Sequence, residues 1–241
     1  MTKRNLSLSQ RKEENRESHL IEPPIKFELS QIKSHFEESL ESIKNQYDVA
    51  EGLKENNKIE DCENIWRSQI VFIEGILDFY LHEISKYSLY QMFLGNWAKT
   101  SGYEKLQIPM AQVEKAIHET ESKQWFFSFL NSRFSRDVFL SEEMMREQLN
   151  LIGLDFSTVM IKAFPITDPT IKDKQNESIA LGKKFIKELF QRRNAIVHQA
   201  DRSHESANKN NINKQYVEEC IANVVQIVNE IHKIAVEKDS L

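Results

Sequence analysis

Apolar residues recur at helical spacing along most of the chain, and the clearest run spans Ile59 to Ser88. Its apolar positions fall three or four residues apart, which is the period of one helix face; they are Trp66, Ile70, Ile73, Leu77, Tyr80, Leu81 and Ile84. The other side of the run carries Ser68 and Gly75, which are small enough to let another backbone approach closely. The pattern predicts the core helix of the protein.

Further helices are predicted on both sides of this run. A narrow apolar stripe from Ser30 to about Glu55 predicts an arm that lies on its own domain or on a second protomer. Ser141, followed by two glutamates, is typical of a helix start, and Gly153 is typical of a helix end. The remaining predicted helices run from Pro109 to about Glu121, Gln124 to Val138, Phe156 to Phe164, Asn176 to Gln199 and Lys214 to Glu237.

The intervening segments are polar or aromatic. Residues 1–24 are predicted to form a mobile polar tail closed by Pro23-Pro24, and the Asn-rich stretch 202–213 is predicted to be a mobile loop. The aromatic residues between Gln124 and Val138 have helical spacing, so we interpret them as core rather than as a base-stacking platform. With 6 Gly and 5 Pro in 241 residues, the chain is predicted to be all-α.

Charge and cysteine content limit the functional classes. The net charge of −5 argues against nucleic-acid binding over the whole surface, but residues 172–202 hold eight Lys or Arg against four Asp or Glu. Cys62 and Cys220 are far apart and suggest neither a zinc site nor a disulfide framework. The absence of a long apolar run and of an apolar N-terminal segment predicts a cytoplasmic protein.

The stretch from Lys183 to Arg202 (KKFIKELFQRRNAIVHQADR) contains the candidate chemistry. On a helical wheel Arg193 lies within the apolar stripe, where an ionised guanidinium is costly unless it is paired or faces a solvated cavity. Asn194 and His198 are four residues apart and share one flank. Arg193 and His198 are five apart, about 140° around a straight helix. Joint action therefore requires that the helix ends or bends near His198, or that a second copy completes the site.

The pattern Arg193-Asn194-x-x-x-His198 resembles the R-x4-6-H motif of HEPN domains, which are small all-α modules that include many metal-independent ribonucleases of toxin–antitoxin and antiviral systems. The helix Trp66 to Ile84 resembles the opening core helix of the RiboL-PSP-like HEPN branch. The Pro109 segment and the SEEMMREQLNLIG helix resemble the insert of that branch. The resemblance implies an HEPN-type helical bundle over residues 58–240, with an insert at about 89–170 and a helical arm at 25–57.

For the activity, the resemblance implies RNA cleavage at a site shared by two subunits. The 2′-OH of the RNA would attack the phosphate, His198 would act in acid–base catalysis, and Arg193 would stabilise the phosphorane. Arg192 and Asn194 would position the substrate. Because one histidine does not easily take one proton and give another in the same step, two sites meeting across a two-fold axis are expected, and with them a homodimer.

Several alternatives stay open. Glu74 and Asp78 could orient an Arg or His of the site helix, or they could be a salt-bridged face.

The other histidines show no metal-ligand spacing, so we expect no metal and no cofactor. The expected partners are RNA, a second subunit, and an antitoxin or defence-system protein, without a membrane. The chain could instead be a non-catalytic helical interaction module, or a nucleotide-binding HEPN domain paired with a nucleotidyltransferase antitoxin.

Overall fold

The computed structural model describes residues 28–118, 124–134 and 137–240, and within these ranges the regular structure is helical apart from one isolated bridge between Arg202 and Lys209. The predicted tail, residues 1–24, lies outside them. In chain order the helices are α1 (Leu29–Lys44), α2 (Tyr47–Glu55), α3 (Ile59–Leu94), α4 (Ser101–Glu104), α5 (Met110–His118), α6 (Gln124–Phe134), α7 (Glu142–Leu151), α8 (Phe156–Ala163), α9 (Lys174–Gln199) and α10 (Lys214–Asp239). The prediction of an all-α fold is confirmed.

Helix α3 is the element against which most others pack. Its 36 residues span roughly 54 Å at about 1.5 Å per residue. It contacts α1, α2, α6, α9 and α10, and all seven apolar positions identified from its period are buried. The helix extends beyond the predicted end at Ser88 because Leu89 and Met92 continue the buried face, and it stops at Gly95, whose φ of 85° is left-handed.

The predicted arm is two helices rather than one. Helix α1 ends at Lys44 and α2 begins at Tyr47, so the run predicted from Ser30 to Glu55 is interrupted by a short turn. The helix starts slightly before Ser30, and Glu28 caps it in a reciprocal capping box with Gln31. The apolar stripe is buried against α3 of the same chain, so the arm packs on its own domain.

The segment from α4 to α8 contains the aromatic part of the core. Phe126, Phe129 and Phe134 are buried, and the rings of Phe93 and Phe126 stack with centroids 4.3 Å apart. These aromatic residues therefore belong to the core, as interpreted from their spacing. The hydroxyl of Ser141 accepts a hydrogen bond from the Met144 N–H at 3.2 Å, which caps the start of α7 as predicted.

Helices α9 and α10 complete the bundle. Helix α10 packs against α3 and α8, and its apolar stripe is buried; the stripe comprises Val217, Cys220, Ile221, Val224, Ile227, Val228 and Ile231. Helix α9 packs against α8 and α3 and brings the candidate motif alongside the middle of α3. No helix in the described ranges is both long and apolar enough to cross a lipid bilayer.

The connection between α9 and α10 differs from the predicted mobile loop. The Asp201 carbonyl accepts the Asn210 N–H at 2.8 Å, and the Ser203 N–H donates to the Asn208 carbonyl at 2.9 Å. These bonds fold the connection back on itself. The asparagine-rich composition suggested mobility, but it gave no sign of the buried carboxylate described below, which holds the loop in place.

Candidate functional site

The candidate motif lies on the last two turns of α9, which continues without interruption to Gln199. Ala200 and Asp201 follow with φ of 50° and 57°, both left-handed, and the Asp201 N–H donates to the Ala195 carbonyl at 2.9 Å. The helix therefore ends after His198 and not before it. Arg193 and His198 remain about 140° apart on one straight helix.

Arg193 lies between α9 and α3 and forms an ion pair with Glu74. Its Nε is 2.8 Å from Glu74 Oε2, and the side chains are 31% and 2% exposed respectively. The approach is short but poorly aligned for a hydrogen bond, and neither Glu74 oxygen has a hydrogen-bond partner within the described residues. Arg193 Nη1 donates to Asn194 Oδ1 at 2.9 Å. The guanidinium is thus held at one edge while a third of the side chain stays open to solvent.

Burial makes the Glu74 carboxyl an unusual acid. Desolvation raises its pKa to about 7, the negative charge of Asp78 adds to this, and the Arg193 guanidinium opposes it. The ion pair therefore compensates only part of the cost of removing this carboxylate from water. Glu74 has the contact expected of an orienting carboxylate, although its role in an activity stays a prediction.

Asp78 has different contacts from those proposed for it. Its Oδ1 accepts the Phe139 N–H at 2.9 Å, and its Oδ2 is 3.6 Å from His82 Nε2. Both partners lie outside α9, and the negative charge of Asp78 acts on the candidate site by raising the pKa of Glu74.

His198 is exposed on the outer side of the final turn of α9. Within the part of the chain that the structure describes, no hydrogen bond or ion pair involves its ring. Its neighbour Val197 is 47% exposed, although it is apolar. A single chain therefore does not bring His198 and Arg193 to one point.

A buried carboxylate behind the motif was missed by sequence reasoning. Asp201 is 0% exposed, and its Oδ2 accepts hydrogen bonds from Arg67 Nε and Arg192 Nη2, both at 2.8 Å. Its Oδ1 accepts Asn210 Nδ2 at 3.1 Å. We call these four residues the Asp201 clasp. It fixes the end of α9 to α3, and no periodicity could reveal it, because Arg67 and Asp201 are 134 residues apart.

The clasp also decides the position of Arg192, one of the residues predicted to position a substrate. Besides Asp201, its Nη2 donates to the Asn211 carbonyl at 3.0 Å, and its side chain is 16% exposed. In this arrangement the Arg192 guanidinium holds the end of α9 and the following loop in place. Of the predicted set, the chain brings together Arg193, Asn194 and Glu74, while Arg192, His198 and Asp78 point to other surroundings.

No group of three or more His, Cys, Asp or Glu side chains in the described ranges is arranged to hold a metal ion.

In comparison with known families, a model of the RiboL-PSP-HEPN family matches residues 37–237. Comparison with curated proteins gives no match, and comparison with solved structures gives none either.

Proposed function

Because the chain belongs to the RiboL-PSP-HEPN family, we propose that it is an RNA endonuclease that works without a metal ion. The observation that carries the proposal is that Arg193 is both paired and partly exposed to solvent. It is held against buried Glu74, yet 31% of its side chain is exposed, and it lies on the same two helix turns as exposed His198. A guanidinium held in this way can receive a phosphate without first being drawn out of a core.

The proposed chemistry uses the RNA as its own nucleophile. The 2′-OH attacks the adjacent phosphorus, and the bond to the 5′-oxygen breaks, which leaves a 2′,3′-cyclic phosphate and a 5′-hydroxyl. Arg193 stabilises the negative charge that develops on the phosphorane oxygens. One imidazole removes the proton of the 2′-OH and a second protonates the leaving oxygen, since both proton transfers suit a group that titrates near neutral pH.

Two copies of the chain supply the two imidazoles in this proposal. Within one chain Arg193 faces α3 while His198 faces outward. A two-fold contact across the final turns of α9 brings each His198 towards the Arg193 of the other copy. The exposed apolar side chain of Val197, next to His198, suits such a contact.

Glu74 and Asn194 position Arg193 in this scheme. Glu74 holds Nε at 2.8 Å and Asn194 accepts from Nη1 at 2.9 Å, so Nη2 is the guanidinium nitrogen left for a phosphate oxygen. Asn194 shares a flank with His198 and can reach the same phosphate. Arg192, bound in the Asp201 clasp, supports the site by fixing the end of α9.

The biological role that we propose is that of a toxin or antiviral-defence effector acting on cytoplasmic RNA, with an antitoxin or defence protein as its partner. This role rests on the family alone, since HEPN domains with an Arg/His motif are often such effectors.

Purified full-length protein incubated with single-stranded RNA tests the activity. Arg193→Ala and His198→Ala are each expected to lower cleavage by at least about 100-fold, in the range of removing one catalytic group, while circular dichroism stays unchanged. Arg146→Ala on α7 and His204→Ala in the loop, both at exposed positions, are matched controls that should keep full activity. Cleavage retained in both site variants would refute the proposal.

Metal independence has its own measurement. Cleavage is expected to continue after exhaustive chelation, with a cyclic phosphate on the upstream fragment. Activity that disappears on chelation and returns with a divalent cation would contradict the proposed chemistry.

A non-catalytic interaction module is the second candidate, and one observation favours it: Arg193 and His198 do not meet within one chain. Such a protein would be expressed without growth inhibition and would leave bulk RNA intact. Growth of cells that express wild type, compared with His198→Ala, separates the two candidates.

A further inference from the structure

A groove opens between the first half of α3 and the end of α9, next to the Arg193–Glu74 pair. Its cavity measures about 360 Å³, within the size range of small-molecule sites. Val71 lies three residues before Glu74 on α3, and Ile196 lies three residues after Arg193 on α9. Each separation is slightly less than one helix turn, so the groove adjoins the candidate site directly. The lining residues are Asn64, Arg67, Ser68, Val71, Phe72, Ile196, Ala200 and Lys209.

The walls of the groove differ in chemistry. The Phe72 side chain is 49% exposed, and Val71 and Ile196 beside it are partly buried, so one part offers an apolar ring face. The other part is polar, because Asn64 and Ser68 are exposed one turn apart on α3. The Asn64 side-chain amide makes no hydrogen bond within the described residues, and it presents both donors and an acceptor.

The two cationic side chains that line the groove are both paired with carboxylates. Arg67 is 5% exposed and bonds to Asp201, to Glu63 and to the Asn210 carbonyl. Lys209 Nζ pairs with Glu60 Oε1 at 2.6 Å at the rim. An aromatic face, an amide without a partner and a lysine at the rim match a planar base attached to a phosphate backbone. An apolar helix of a second copy would cover the Asn64 side-chain amide without giving it a partner.

We propose that this groove binds one unpaired nucleobase of the RNA strand, next to the phosphate held by Arg193. The base stacks on Phe72, and Asn64 hydrogen-bonds to its edge, which makes Phe72 and Asn64 the residues that set the sequence preference of cleavage. This inference rests on the proposed RNA-cleaving function, but it predicts RNA binding that can be measured without cleavage.

Binding is measured with the full-length His198→Ala protein and short single-stranded RNAs that carry 2′-fluoro sugars, which remove the attacking hydroxyl. Four probes differ only in having A, C, G or U at all positions. Each of four further substitutions is added separately to the His198→Ala protein: Phe72→Ala, Phe72→Tyr, Asn64→Ala and Phe79→Ala. Phe79 is the matched control, because it is a phenylalanine on the same helix that is 50% exposed and does not line the groove.

The expected result is that one probe binds best, and that Phe72→Ala weakens its binding by about 10-fold or more, the effect of losing one base–aromatic stack. Phe72→Tyr and Phe79→Ala should bind like the parent. Asn64→Ala should reduce the difference between the four probes. With His198 intact, Phe72→Ala and Asn64→Ala should change which positions of a random RNA pool are cut, whereas Phe79→Ala should not.

Three outcomes overturn the inference. Equal binding and an equal preference in Phe72→Ala would show that no base occupies the groove, even if wild type cleaves RNA and His198→Ala does not. A loss in Phe72→Ala that coincides with a loss of dimer by light scattering would assign the surface to a second copy. Failure of every probe to bind would reject the base site and the RNA substrate together. Binding with the expected pattern but without cleavage by wild type would keep this inference and reject the nuclease.

Discussion

Single side chains at the boundary of α3 and α9 carry charges that the fold accommodates by pairing. Glu74 is almost fully buried and faces Arg193, which is only partly buried. Asp201 is fully buried and accepts hydrogen bonds from two arginines and one asparagine. The Arg193 charge offsets only part of the cost of burying the Glu74 carboxylate, so the pKa of Glu74 is raised to about 7. The Asp201 carboxylate is instead surrounded by hydrogen-bond donors. The two carboxylates are expected to respond differently to substitution.

Removal of the Glu74 charge should change the pH dependence of stability. Its folded-state pKa of about 7 lies above the ordinary 4.5, so the folded protein holds this proton longer than the unfolded chain. The contribution of Glu74 to stability is therefore greatest below about pH 4.5 and falls as the pH rises through 7. As the pH rises from 5 to 8, the free energy of unfolding of Glu74→Gln should increase by about 1 to 3 kcal/mol relative to that of wild type, as measured by urea unfolding.

Glu143→Gln, at an exposed position of α7, is the control for that comparison and should follow the wild-type pH profile. If Glu74→Gln also follows the wild-type pH profile, burial does not raise the pKa of the Glu74 carboxyl.

Removal of the Asp201 charge should be costly at any pH near neutral. Asp201→Ala leaves Arg67, which is 5% exposed, and Arg192 without their shared counterion. The loss of one partner from a buried charge cluster costs about 3 to 5 kcal/mol. Chemical denaturation measures the change, with exposed Asp168→Ala as the control. A loss below about 1 kcal/mol, at the level of ordinary surface substitutions, would contradict the role given to the clasp.

At the scale of elements, the position of α9 depends on a close contact with α8. Gly182 is buried on α9, and a Cβ there would lie 3.1 Å from Met160 Cγ and from Phe164 Cδ2. Met160 is fully buried, so the contact has little room to relax. The crossing of these helices sets the direction in which the last two turns of α9, with Arg193 and His198, leave the bundle.

A matched pair of glycine substitutions tests this contact. Gly182→Ala should destabilise the protein by about 1 to 3 kcal/mol through overpacking. Gly52→Ala lies inside α2 with open space around the new methyl group, so it should stabilise by about 0.5 to 1 kcal/mol through better helix propensity. Melting temperatures report both. Equal effects in the two variants would show that the α8–α9 contact tolerates a methyl group.

At the scale of the whole molecule, the proposed activity needs two copies. Each chain presents Val197 and His198 at the open end of α9, while its Arg193 faces inward to α3. The two functional groups can act on one phosphate only if another chain supplies what the first one lacks.

Val197→Glu tests the assembly directly. A charge placed at the proposed contact should convert a dimer to a monomer, as measured by light scattering, and cleavage should fall in parallel while the fold is retained. Val49→Glu on α2, where valine is 57% exposed, is the control and should remain dimeric and active. A dimer that persists in Val197→Glu would place the contact elsewhere.

Much of the bundle was predictable because its helices follow strong local rules. The buried face of α3, the Ser141 cap and the stripe of α10 all follow from spacing and capping. The break in the arm at residues 45–46 was missed, since no Pro or Gly marks it. The pairing of Arg193 with Glu74 was among the stated possibilities, because both lie on inward faces of neighbouring helices. The Asp201 clasp was not, because its members come from three separate segments.

The clasp has a consequence for synthesis of the protein. Arg67 is made early, but its carboxylate partner follows 134 residues later, and Asn210 later still. In a nascent chain that has not yet released residue 201 from the ribosome, Arg67 lacks the Asp201 carboxylate and has only its pair with Glu63, and the end of α9 is not yet fixed to α3. The order of translation itself therefore delays the fixing of the Arg193 region until residue 210 has emerged.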